Sequence, residues 1–244
     1  MFRWIKYILL LIVSTNLAYS ADLEFRIHLG QGAFAMSDIH KLQNGVLNEL
    51  RDMSIAAKIL SDFPDFYYTR IEAINRFSPG YAGGLTWMHM ETGGKIHYED
   101  YSGEILSEQI VICDGIGLYN SWTIVEYDRL KARFNMPINA LWSKIVLEDE
   151  SRIYNETTNS SYELVALGLG IDPAISLTHD ISKFHVSLEV GYQFTFSKPF
   201  HLKDNSDAIL RVDGSEVSPD WSGFRLGISV GYKLRKSVLH QKTG

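Results

Sequence analysis

His185, Ser187 and Glu189 stand at alternate positions. On an extended segment that spacing sets an imidazole, a hydroxyl and a carboxylate along one face, the three groups that nucleophilic hydrolysis uses. The same row can instead form a hydrogen-bonded network, and that is the role expected here. Arg225 is the natural partner of Glu189, and Glu24, Arg26 and His28 extend the series of alternating charges. Groups of this kind are tolerated away from water only when they are paired. No residue is assigned to catalysis, to a cofactor or to a metal. His89, Glu91, His97 and Asp100 are of ligating type, but their spacing matches no standard site. Lys203 to Asp207 lacks the alternating oxygen ligands and central glycine of a calcium loop. Gly30-x-Gly32-x-x-Ala35 superficially matches a dinucleotide fingerprint. The strand before it carries Glu24, Arg26 and His28, where a buried parallel strand would be apolar. Asn155 and Asn159 begin two sequon-type triplets, from which no role is drawn.

Composition narrows the field further. The 244 residues are 45% hydrophobic and 21% charged, which is ordinary globular polarity. Lys and Arg number 23 against 29 Asp and Glu, a net charge of −6, so attraction to nucleic acid has no electrostatic basis. A single cysteine, Cys113, can form neither an internal disulfide nor a cysteine-rich zinc site. At the start, Arg3 and Lys6 precede the apolar run Tyr7 to Val13, and Ala18-Tyr19-Ser20 offers small residues for cleavage. Residues 1–20 therefore read as a secretory signal peptide. After it, no apolar run is long enough for a membrane-spanning helix.

What must position the polar row is a long strand. From Lys183 to Ser197, Phe184, Val186, Leu188, Val190, Tyr192, Phe194 and Phe196 alternate with polar residues and glycine. Trp221 to Arg235 and Leu23 to Met36 repeat the pattern. These strands are two to three times the usual ~5–6 residues and exceed the ~9–11 that a tilted strand needs to cross a bilayer. Gly30, Gly32, Gly168, Gly170, Gly191, Gly227 and Gly231 fall on the polar side, as the crowded interior of a narrow barrel would require. Asp65 to Phe77, Gly80 to Met90, Ile105 to Tyr119, Ile138 to Ile153 and Ser161 to Thr178 read as further strands. Ile138 to Ile153 is apolar on both faces and its register is unassigned. Asp172-Pro173 interrupts the last, since proline cannot donate to a ladder.

The connections alternate in length. Ser78 to Gly80 and His179 to Ser182 are tight turns, whereas Ser37 to Pro64, Thr92 to Glu104, Tyr154 to Ser160 and Lys198 to Asp220 are longer. Outer-membrane barrels have this asymmetry, with short periplasmic turns and long outer loops. Asn120 to Pro137 departs from it, and a hairpin hidden there would make ten strands. In the first long connection, Ser37-Asp38 can cap a helix on which Ile39, Leu42, Val46, Leu50 and Met53 share one side. It is expected to pack over the barrel mouth. Tyr67, Tyr68, Tyr81, Tyr119, Trp122, Tyr162, Trp221 and Tyr232 lie near strand ends, where interfacial girdles would hold them.

On these features the chain resembles the small outer-membrane β-barrels of Gram-negative bacteria. TGGKIHYEDYSGE, Thr92 to Glu104, resembles a segment of Bacteroidetes-type outer-membrane barrels that carry no assigned activity. Gly227 to Tyr232 is similar to the terminal assembly signal of such proteins, although RKSVLHQKTG follows it. His185-x-Ser187 is also similar to the pair that lipid A deacylases use, but those enzymes need their nucleophile at the lipid surface, and here the pair lies on the polar face.

The expected fold is thus all-β: an antiparallel up-and-down transmembrane β-barrel of about eight strands, or ten, with a short helix in the first long loop. Residues 21–236 would form the barrel and 237–244 a tail. The expected role is structural or interactive, through outer loops, in a monomer without cofactor or catalysis. Its partners would be outer-membrane lipid and, during biogenesis, the barrel-assembly machinery, with the extracellular partner unidentified and nucleic acid excluded. A small passive channel, a lipid-modifying enzyme and a soluble periplasmic lipocalin-like barrel are the alternatives, because alternation alone does not say which face is inside.

Overall fold

A computed structural model describes residues 22–101, 103–154 and 156–235. The expected signal peptide (1–20) and tail (237–244) lie outside these residues. In order, the chain forms β1 (Asp22–Gly32), α1 (Ser37–Asp52), β2 (Lys58–Asp62), β3 (Phe66–Ser78), β4 (Tyr81–Asp100), β5 (Gly103–Tyr127), β6 (Leu130–Asn135), β7 (Ile138–Ile153), β8 (Glu156–Ile171) and β9 (Ala174–Ile181). There follow β10 (Phe184–Ser197), β11 (His201–Leu202), β12 (Asn205–Ile209), β13 (Arg211–Val212), β14 (Ser215–Glu216) and β15 (Gly223–Arg235).

Pro137 and Pro173 each lack a backbone donor and each splits one long strand into two pieces, β6 with β7 and β8 with β9. The amide of Asp172 reaches the carbonyl of Pro137 at 3.1 Å, so the two interruptions lie side by side and the ladder resumes in the same register. Counted this way, β1, β3, β4, β5, β6 with β7, β8 with β9, β10 and β15 form an eight-membered antiparallel ring. Each member pairs with the next in sequence, and β15 closes on β1 from Asp22↔Arg235 to Gly32↔Arg225. Closure removes the free edges that an open sheet would present within the ring.

The segment Asn120 to Pro137 holds no extra hairpin. Instead β5 continues through it and returns as β6 over the two residues Asp128 and Arg129. Asp128 and Ser182 both take positive φ, 51° and 60°, as two-residue hairpin turns demand. All three connections at this end are therefore tight. At the opposite end, residues 92–100, 103–104 and 156–160 also differ from expectation: they are strand, and β4 meets β5 at Asp100↔Gly103 while β7 meets β8 at Ile153↔Glu156. Glycine and charge made these stretches look like loops, yet Thr92, Gly94 and Ile96 keep facing inward. β5 reaches 25 residues, more than twice what a membrane crossing needs (about 9–11). β4, β5, β7 and β8 thus rise together as a hairpin projection, flanked by β2 on β4 and by β11 and β12 beside β8.

Faces are assigned without ambiguity. Phe25, Ile27, Leu29, Leu188, Val190, Leu226, Ile228 and Val230 point outward and are exposed, whereas Arg26, His28, Arg70, Glu72 and His185 point inward and are completely buried. The lipocalin-like alternative, with its apolar face inside, is overturned by this arrangement. The interior has two storeys. Toward the turns it is charged; toward the projection it is apolar, filled by Phe34, Met88, Met90, Leu141, Ile145 and Trp221. Each buried Met, Leu, Ile or Phe contributes about 1.5–3 kcal/mol. That upper storey explains why β7 is apolar on both sides: Leu141 and Ile145 face the core, Trp142 and Val146 the outside.

α1 lies on the projection, with Leu47 and Leu50 packed beside Ala57 and Ile96. Neither Ser37 nor Asp38 caps it. The cap residue is Met36, in a left-handed conformation with no side-chain bond, while Asp38 in the first turn accepts from Lys41 at 2.9 Å. Met53, expected on the apolar side, is exposed beyond the helix end. Tyr68, Tyr119 and Trp221, expected in girdles, are buried in the lumen. Outside, Phe77, Tyr81, Trp122 and Phe134 do form a chain of ring contacts near the turns.

Gly30 and Gly227 face each other across β1 and β15 beneath the ring of Tyr68. A Cβ at Gly30 would lie 2.5 Å from that ring. Gly30→Val should cost about 1–3 kcal/mol by overpacking, seen as a lower urea midpoint in micelles. Gly80→Ala, at an open turn with nothing within 4 Å, should leave the midpoint unchanged.

Candidate functional site in the barrel lumen

Arg70 on β3 is the hub of the charged storey. Its Nε lies 2.8 Å from Glu72 Oε1, its Nη1 donates to Asp172 Oδ2 at 3.0 Å, and its Nη2 donates to Glu189. Strands β3 and β10 and the break between β8 and β9 are thereby joined across the lumen. Arg26 forms a second node. It donates to Glu24 at 2.5 Å, to the Tyr119 hydroxyl at 3.0 Å and to His185 Nε2 at 3.2 Å, and lies 3.3 Å from Glu72. His28 sits between the nodes, with Nε2 3.1 Å from Glu72 and Nδ1 3.3 Å from Arg70 Nη2. A single neutral tautomer, protonated on Nε2, satisfies both contacts.

Asn135 completes the layer. Its amide donates to Glu189 at 2.7 Å and to Ser176 at 2.9 Å, and its carbonyl accepts from Tyr119 and Ser121, each at 2.8 Å. Arg225 does not pair with Glu189. It stands higher, over the Tyr68 ring at 4.9 Å and 3.7 Å from Asp172, where the charged storey meets the apolar one. Register explains this: Arg225 pairs with Gly191 on β10, one inward position above Glu189, whose own partner on β15 is Gly227. Trp221 then closes the space above, its Nε1 donating to Ser143 at 2.9 Å.

His185, Ser187 and Glu189 share a face but do not form a relay. Ser187 bonds to Thr178 at 2.8 Å, His185 is engaged by Arg26 and Glu24, and Glu189 by Arg70 and Asn135. Nucleophile, base and orienting carboxylate must be hydrogen-bonded in sequence for triad chemistry, and here each group is committed elsewhere. The residues of ligating type on the outer surface are similarly dispersed. His89 pairs with Asp114 at 3.0 Å, His97 with Glu104 at 3.2 Å, and Asp100 accepts from Tyr98 at 2.6 Å. Among the described residues no group of three could hold a metal ion.

No known family pattern and no curated protein matches this chain. Among solved structures it is similar to one of Ail, the attachment invasion locus protein of Yersinia pestis, in complex with the heparin analogue sucrose octasulfate. That comparison has 11% identity and a TM-score of 0.36, and covers 88% of this chain and 99% of the other. A second structure of Ail gives 10% identity and a TM-score of 0.33 over the same shares. Neither likeness supports a Bacteroidetes origin for the Thr92 to Glu104 segment.

Several lumen residues were missing from the sequence reading. Arg70 and Glu72 were legible, because they alternate with Ile71 and Ala73 as Arg26 does with Ile27. Tyr119 was hidden by its expected place in an interfacial girdle, Asn135 by taking the stretch around it for a loop, and Asp172 by reading it only as a strand break. Arg70→Met should leave Glu72, Asp172 and Glu189 short of a counter-charge and cost about 3–5 kcal/mol. Ser187→Ala should cost only about 0.5–1.5 kcal/mol, the worth of one neutral hydrogen bond. Urea unfolding of both variants in micelles measures the difference.

Proposed function

We propose that this chain is a monomeric outer-membrane β-barrel protein whose role is structural or interactive, exercised through the hairpin projection and its flanking loops, with no catalysis and no conduction. The observation that carries the reading is the polarity of the ring: a continuous apolar outside around a charged, paired inside. Water-soluble monomers rarely expose apolar patches beyond a few hundred Å². A hydrocarbon surrounding makes the same belt favourable, and it tolerates strands only when they close, as these do. In this reading outer-membrane lipid contacts the belt, the assembly machinery inserts the chain, and the tight turns face the periplasm.

The lumen supports the same conclusion. Paired charges span it at the level of Arg26 and Arg70, and Phe34, Met88, Met90 and Trp221 fill it above. What remains to meet a partner is the projection. On its outer face Lys95 pairs with Glu108 at 2.6 Å, and Glu104 takes both His97 and Arg152, while Lys203 ties the last loop to Glu163 at 2.9 Å. These ion pairs hold a defined surface well clear of the belt, as an interaction module would need.

Fractionation with gels of boiled and unboiled samples tests the location: the protein should be recovered in the outer-membrane pellet with a heat-dependent shift. Recovery in the soluble periplasm would refute it. Purified protein in planar bilayers should give no steady conductance, and a steady open level would restore the channel alternative.

A further inference from the structure

Below Arg26, at the turn end, the lumen opens on a cavity of about 140 Å³. A single water needs about 10–15 Å³ of such space, so the cavity has room for a polyatomic group. Four bases line it, Arg76, Lys131, Arg133 and Lys233, against two acids, Glu24 and Asp180. That excess of two positive charges stands in a chain whose net charge is −6.

Both acids are already engaged. Glu24 accepts from Arg26 and lies 3.1 Å from His185, and Asp180 holds Lys233 at 2.5 Å and Lys131 at 3.3 Å, the latter also reaching Glu126 at 2.8 Å. Arg133 is left over. It is only 4% exposed, it lines the cavity, and among the described residues it makes no hydrogen bond or ion pair. Its electrostatic neighbours are the like charges of Arg26 and Arg76, set against the carboxylate of Glu24, which is itself bonded to Arg26, and the Tyr119 hydroxyl. Among the described residues Arg76, half-buried beside it, likewise has no hydrogen bond or ion pair, and the acid that feels its charge, Glu126, is already bonded to Lys131.

A guanidinium cannot shed its proton to relieve such a position. Buried charge without a counter-ion is costly, and five donors in a planar fork match an oxyanion. Neither arginine has an ion pair of its own among the described residues, and a phosphate monoester or inorganic phosphate, with up to two negative charges near neutral pH, would give them one. We propose that the turn end of the barrel is a binding site for a phosphate group, free or borne by a lipid headgroup, held by Arg133 and Arg76. Leu23 and Leu234, on the rim beside the cavity, give a headgroup apolar surface on which to rest its chain.

The lipid source rests on the membrane reading above; capture of free phosphate does not. The test therefore begins with full-length protein folded in micelles, each variant first shown to keep its heat-dependent gel shift. Inorganic phosphate, against chloride at equal ionic strength, should raise the urea midpoint of the wild type and bind at one site by calorimetry. Arg133→Gln should weaken that binding at least tenfold. The same variant should raise the midpoint in phosphate-free buffer, because it removes an unpaired charge. Lys203→Gln, at the loop end, should bind as the wild type does. Organic phosphorus copurifying with wild-type protein from membranes and depleted in Arg133→Gln would identify a lipid; phosphate binding without it would identify the free anion. A folded wild type that binds no phosphate, or an Arg133→Gln that binds it equally, would overturn the proposal.

Discussion

Every feature of this molecule follows from closing a sheet whose greasy face is on the outside. Strands with an apolar outer surface cannot leave backbone N–H and C=O groups unpaired, since a surrounding without water offers them no partner. The ring solves this by pairing β15 with β1 over eleven residues. Having closed, it must then fill a narrow interior with the side chains that the alternation sends inward. Arginine and glutamate reach across it, Tyr68 lies over Gly30 and Gly227, and the remaining space toward the projection is packed as a conventional core.

The two storeys divide the work of holding the barrel. In the charged one, geometry matters more than the number of ions, because desolvation offsets much of the attraction and only complete pairing makes burial tolerable. Arg70 meets three carboxylates from three parts of the wall, and Asn135 satisfies Glu189 from a fourth. Such cross-links fix the shape of the ring as much as its stability. In the apolar storey, Trp221 and Phe34 meet edge to face at 4.9 Å, and α1 extends the same core onto the projection. At the opposite end, among the described residues, Arg133 and Arg76 make no ion pair.

Much of the architecture was legible in the sequence because a barrel obeys one rule, period two, along every strand. Lys183 to Ser197 and Trp221 to Arg235 state it without interruption, and the eight-strand ring and the helix after β1 follow. Errors arose where the rule was obeyed by unexpected residues. Thr92 to Glu104 is rich in glycine and charge, yet alternates; Asn120 to Pro137 mixes aromatic and polar residues over what proved to be two strand ends and a turn. In β7 the pattern was masked because its inward residues, Leu141 and Ile145, belong to the apolar storey. The lumen pairings were less accessible than the faces. Which carboxylate meets Arg70 or Arg225 depends on register between strands far apart in sequence, and a shift of one inward position exchanges Glu189 for Asp172.

The claim on which the account turns is that the outward belt meets lipid and the inward residues do not. Variants retaining a single tryptophan, either Trp142 on the outside or Trp221 in the lumen, can be folded into vesicles whose acyl chains carry bromine, a contact quencher of indole fluorescence. The account predicts strong quenching of Trp142 and none of Trp221. Quenching of Trp221 with Trp142 unaffected would mean that the faces are reversed and that the belt is not a membrane surface.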